Sequence, residues 1–118
     1  MNKAQKMARL RALTQMVLDS HLGDLRAKAS QRQATIEKLE GLRAPSPTLG
    51  EGAGISDALA ALNFQIWAEA RRAELSQILA RQTAVWLDSR DHARQAFGKA
   101  RGFDSVIEKT RPDPREKP

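Results

Sequence analysis

From Ser56 to Thr110 the chain contains no proline and only two glycines, Gly98 and Gly102, both near the end of the stretch. Within it Leu75, Leu79, Gln82, Trp86, Ser89, Ala93, Ala96, Ala100, Phe103 and Ile107 recur at alternating steps of four and three. That is the period of a seam along which two helices pack lengthwise, whereas a strand would alternate every second residue. At 1.5 Å per residue such a helix reaches roughly 80 Å, far beyond the average globular helix, so a rod is expected rather than a ball.

A partner for that seam precedes it. Residues Asn2 to Arg43 also lack proline and are rich in Ala, Leu, Arg, Lys and Gln, which form helices readily. The apolar marks are Met7, Leu10, Leu13 and Val17, then Leu18, Leu22, Leu25, Ala29, Ile36 and Leu39, with Arg32 at one seam position. The phase slips near Val17 and Leu18, as a 3.6-residue turn drifts against a seven-residue repeat. Gly23 reads as a tolerated surface glycine, with a bend or close contact as the alternative. The predicted organisation is a first long helix over 1–44, a Pro/Gly-rich connection over 45–55, a second long helix over 56–110, and a charged, proline-punctuated tail over 111–118 that is disordered when free. Ser56 is the expected cap of the second helix, Asp57 meets its positive end, and Ile55 with Leu59 forms a hydrophobic staple. The fold class is all-α: two long helices forming an antiparallel coiled-coil hairpin.

Composition agrees with a thin structure. Hydrophobic residues make up 41% of the 118 and aromatics 4%, too little for a deep multilayer core. The formal net charge of +6 points to an anionic partner, whether nucleic acid, a membrane surface or an acidic protein. Cysteine is absent, which removes disulfides, thiolate metal sites and cysteine nucleophiles and is compatible with a reducing cytosol. No apolar run approaches the length of a membrane span, and the basic residues from Lys3 to Arg11 are not followed by a sustained hydrophobic region, so secretion by the usual signal is not expected.

Early in the second helix the seam is expected to run through Leu59, Leu62, Ile66, Ala70 and Ala73 before the Leu75 series takes over. Phe64, Ala68, Arg71 and Leu75 mark another face, and one helix cannot cover both stripes. The surplus face is either covered by self-association, as a trimer, a four-helix dimer or a folded-back segment, or reserved for a dedicated partner. Trp86 is placed in the seam and Trp67 outside it.

Little here is catalytic. His21 and His92 each sit without a metal-ligand neighbour at helical spacing, and a two-helix rod offers no walls for a nucleophile and its oxyanion donors. Gly50, Gly52 and Gly54 lack the strand and the Lys-Ser/Thr pair of a nucleotide loop. The chain reads as a non-enzyme with no cofactor. Lys3, Lys6, Arg9 and Arg11 are available for phosphates, but no zipper-type basic region, zinc finger or helix-turn-helix pattern accompanies them.

The run from Leu79 through Trp86 and Leu87 to Arg90, continuing over Ala93 to Ala100 and on to Glu108 and Lys109, follows a basic N-terminal helix and a glycine-rich break. In that combination the chain resembles the FliJ/YscO family of flagellar and type III secretion export proteins. The resemblance implies an antiparallel coiled coil, similar to the stalk of rotary ATPases, that enters the ring of the export ATPase and links it to the membrane export gate. It implies a cytoplasmic protein, peripheral at the inner membrane, that hydrolyses nothing itself. Ring-facing residues would lie near the joined ends of the two long helices, at Arg9, Arg11, Arg94 and Arg101. The gate-facing helix face would hold Phe64, Ala68, Arg71 and Leu75 with Trp67 beside them, although Ala68 and Arg71 depart from the family's more apolar pattern. The alternatives are a basic helical-hairpin protein associated with nucleic acid or a phage accessory protein, and a small helical secretion chaperone.

Overall fold

The computed structural model describes residues 2–43, 52 and 54–110. Two helices, α1 (Lys3–Gly41) and α2 (Ile55–Thr110), pack against each other as an antiparallel hairpin. Of the connection expected over 45–55, only Gly52, Gly54 and Ile55 fall within the described residues; the tail 111–118 lies outside them.

Each helix is fixed at its start by local chemistry. The Asn2 side chain accepts from the Gln5 amide at 2.8 Å while Gln5 Oε1 accepts from the Asn2 amide at 3.2 Å, a reciprocal capping box that satisfies two otherwise orphaned donors. At α2 the cap is Gly54 rather than Ser56: its carbonyl accepts from the Asp57 and Ala58 amides, and Asp57 Oδ2 reaches back to the Gly54 amide at 3.3 Å. The helix thus begins one residue earlier than expected, with Asp57 still at its positive end. The staple between Ile55 and Leu59 does not form a covered contact, since both side chains are exposed. α1 stops without a left-handed glycine; its last carbonyls are taken by Leu42 and Arg43 amides in tight three-residue steps, Leu42 N to Leu39 O and Arg43 N to Glu40 O.

The chain divides into two compact units, residues 1–27 with 87–118 and residues 28–86. In the first, Leu18 of α1 and Ala93 and Ala96 of α2 are buried, and Ser89 Oγ donates to Asp24 Oδ2 across the seam at 2.9 Å. Small side chains on α2 let the two backbones approach, and the buried hydroxyl is satisfied by the carboxylate opposite it. Met7, Thr14, His21, Leu22 and Leu25 continue this face of α1 in half-buried positions, whereas Leu10, Leu13 and Val17 are exposed. The seam of α1 therefore keeps a single phase through Met7, Thr14 and Leu18, and the slip expected near Val17 does not occur. Polar Thr14 holds the inward position because the helix geometry places it there, and the bulkier leucines fall outside.

In the second unit Thr35, Ala68 and Leu75 are buried. The Arg32 guanidinium lies 5.2 Å from the Trp86 ring centroid and its Nε donates to Thr83 Oγ1 at 2.9 Å, so one cation covers the half-buried indole and ties the two helices together. Arg72 Nη2 donates to the Leu42 carbonyl at 3.1 Å, closing the end of α1 onto α2. Leu42 and Arg43 line a small groove with Phe64, Gln65, Ala68, Glu69 and Arg72. Of the turns from Ile55 to Asn63, only Ala61 is half-buried and the rest are exposed.

Candidate partner-binding surface

The first turns of α2 are unusual for this chain. Residues 58–68, Ala-Leu-Ala-Ala-Leu-Asn-Phe-Gln-Ile-Trp-Ala, carry no charge, although charged residues are 29% of the whole. Between Arg43 and Arg71 there is no Lys or Arg at all, only Glu51, Asp57 and Glu69. The net charge there is −3 against +6 for the chain, leaving +9 on the remainder. A segment this apolar normally lies inside a protein, yet Ile55, Leu59, Leu62, Phe64, Ile66 and Trp67 are all exposed.

Two faces can be separated on this segment. Phe64 and Trp67 stack against each other with ring centroids 5.9 Å apart and tilted by 39°, and Trp67 is 55% exposed. Ile55, Leu59, Leu62 and Ile66 recur at steps of four, three and four and occupy the side of α2 roughly half a turn from the seam. That stripe was expected to be seam and is not, because the seam follows α1, which meets Ala68 and Leu75 instead.

The residues for which the family resemblance implies a gate-facing surface are accordingly split. Ala68 and Leu75, each 3% exposed, are buried within the hairpin and present nothing outward. Arg71 is half-buried and pairs along its own helix with Glu74 at 3.0 Å. Phe64 and Trp67 remain on the surface. Trp86 lies in the seam and Trp67 outside it, as their spacing indicated.

Arg9, Arg11, Arg94 and Arg101 all lie in the first unit, where α1 begins and α2 ends, rather than at the connected end. Each is exposed. Arg11 Nε pairs with Asp104 Oδ1 at 3.0 Å across the two helices, and the Arg101 guanidinium sits 5.6 Å from the Phe97 ring centroid. Arg11 also lines an open groove of about 720 Å³ with Lys3, Met7, Ile107 and Thr110. Basic side chains there rim an apolar floor.

One juxtaposition escaped the sequence reading. His21 and His92, which look solitary along the chain, face each other across the seam with ring centroids 6.0 Å apart. Only the antiparallel register brings them together, and no local spacing signals it. Among the described residues no group of three or more His, Asp or Glu side chains is arranged to hold a metal ion. The charge-free run 58–68, by contrast, was visible in the sequence as a gap in an otherwise charge-laced helix.

No family model, curated protein or solved structure matches this chain. No helix among the described residues is long and apolar enough to cross a membrane.

Proposed function

We propose that this protein is a non-enzymatic helical-hairpin connector that engages one protein through the uncharged start of α2 and an acidic protein surface through its basic unit. The observation that carries this reading is the segregation along the chain: exposed apolar side chains from Ile55 to Trp67 within a stretch, 44–70, that has no Lys or Arg, and a net positive charge on the rest. A surface helix that binds anionic membranes or nucleic acid sets Lys or Arg beside its apolar face. The start of α2 has neither. An amphipathic protein groove suits it better, with Phe64 and Trp67 as the anchors, since a large exposed indole and its aromatic neighbour carry much binding area at little cost in side-chain entropy.

Within that class, the narrower assignment is the stalk of a protein export apparatus, coupling the export ATPase ring to the export gate. Its support is the resemblance of residues Leu79 to Lys109 to the FliJ/YscO C-terminal helix, together with the two-helix architecture. An asymmetric hairpin inside a ring biases the subunits by contacting them differently, which requires different affinities for their states. Arg9, Arg94 and Arg101 offer exposed cations for such contacts, while Arg11 is already held by Asp104.

The test is direct binding to the export ATPase and to the cytoplasmic part of the export gate from the same organism. Charge reversal at Arg94 and Arg101 is expected to weaken ATPase binding with helicity unchanged, and Trp67→Ala to weaken gate binding alone. Unaltered binding in both variants removes the assignment. A gel shift at physiological salt addresses the nucleic-acid alternative, and retention of duplex or single strands at micromolar protein would replace the connector reading.

A further inference from the structure

The outer stripe of α2, part of the uncharged segment on which the connector reading rests, also has a size pattern along its length. It continues past Ile55, Leu59, Leu62 and Ile66 through Ala70, Ala73 and Gln77, at steps of three or four that keep it straight along an undistorted helix. Its side chains are large at one end and mostly small at the other. The four aliphatic residues are each more than half exposed, and Ala70, Ala73 and Gln77 are exposed as well.

We propose that this stripe pairs two copies of the chain, α2 against α2, antiparallel about Ile66. In that register Ile66 meets its own counterpart, Leu62 meets Ala70, Leu59 meets Ala73 and Ile55 meets Gln77. On either side of the central Ile66 pair, Leu62 falls on Ala70 and Leu59 on Ala73, large side chains against small ones, which lets the two helices approach without a clash. The flanks also match. Ser56, Ala58, Asn63 and Gln65 border the stripe without charge; in a two-fold pair each edge meets the same edge of the other copy, so Glu69 falls beside Leu62 and Gln65 and Glu74 beside Ser56. The contact from Ile55 to Gln77 amounts to about three heptads, the shortest run over which a paired helical seam is sustained. Because α1 lies on the far side of α2, each copy keeps its own α1 and neither obstructs the pairing. Self-association here leaves Phe64 on the opposite face and does not touch the arginines of the other unit.

Sedimentation equilibrium of the full chain across the micromolar range tests the pairing, and cysteine cross-linking tests its register, since the native chain has no cysteine to interfere. The wild type is expected to dimerise, and Leu62→Glu to weaken the dimer at least about tenfold without loss of helicity at low concentration. Under mild oxidation Ile66→Cys is expected to form a disulfide dimer by itself, whereas Ile55→Cys does so only when mixed with Gln77→Cys. A chain that stays monomeric throughout, a dimer indifferent to Leu62→Glu, or efficient self-linking of Ile55→Cys would each overturn the proposal. ATPase binding is read on Arg94 and Arg101, outside this contact, so failure of the pairing and failure of the ATPase assignment are distinguishable.

Discussion

Leu18 and Leu13 offer an internal comparison, because they are the same residue type, five positions apart in the same helix, with exposures of 6% and 52%. Replacement by Ala changes intrinsic helix propensity equally little at both sites, so any difference in cost isolates burial. In a closed core Leu→Ala costs about 2–5 kcal/mol. A two-helix seam has open flanks that collapse or admit water, which places Leu18→Ala near the low end, about 2–3 kcal/mol. At Leu13 half of the side chain already meets solvent, and the lost transfer energy is below about 1 kcal/mol. The gap of roughly 2 kcal/mol corresponds to a difference in Tm of about 10 °C for a domain of this size. Thermal unfolding followed by far-ultraviolet circular dichroism at low protein concentration measures it. Equal destabilisation, or a larger loss at Leu13, would refute the single-phase seam through Met7, Thr14 and Leu18 and restore the one through Leu10, Leu13 and Val17.

Arg32→Ala is expected to cost about 1–2 kcal/mol, because it removes the cation over Trp86 and the bond to Thr83, and Trp86 fluorescence in a Trp67→Phe background should report the uncovered indole. Arg32→Lys is expected to recover only part of this, since an ammonium lacks the planar fork that serves both contacts. Gly98→Ala and Gly102→Ala should each stabilise the hairpin by about 0.5–1 kcal/mol: both glycines are inside α2, and an added methyl group meets nothing within 4 Å. Asp104→Ala is expected to shift Tm by no more than about a degree or two, in line with the small worth of an exposed ion pair; a large loss would show that the Arg11 pair holds the helix ends together.

The helices themselves were legible because nothing in either stretch opposes them: no proline, few glycines, and for α2 from Leu75 onward an unbroken four-three recurrence that the structure follows through Ser89, Ala93 and Ala96. Where legibility failed, two candidate faces competed and the apolar residues did not decide between them. On α1 the leucines at 10 and 13 outweigh Thr14 in hydrophobicity, yet continuity of phase with Leu18 sets the inward face. At the start of α2 the same conflict placed Leu59, Leu62 and Ile66 inside, whereas α1 closes on Ala68 and Leu75. Which face is inward depends on where the partner helix ends, and that is a tertiary fact. The meeting of His21 with His92 is of the same kind, set by register across the seam. The start of α2 as a candidate surface did have a sequence signal, the missing charges between Arg43 and Arg71, but hydrophobic periodicity alone passes over it.

The most direct measurement is a bridging assay: immobilised export ATPase, the hairpin added, and capture of the export-gate domain read by surface plasmon resonance. The connector account predicts gate capture only when the hairpin is present, loss of capture but not of hairpin binding with Trp67→Ala, and loss of both with charge reversal at Arg94 and Arg101. Capture that needs no hairpin, or a hairpin that never holds the two proteins at once, would contradict it.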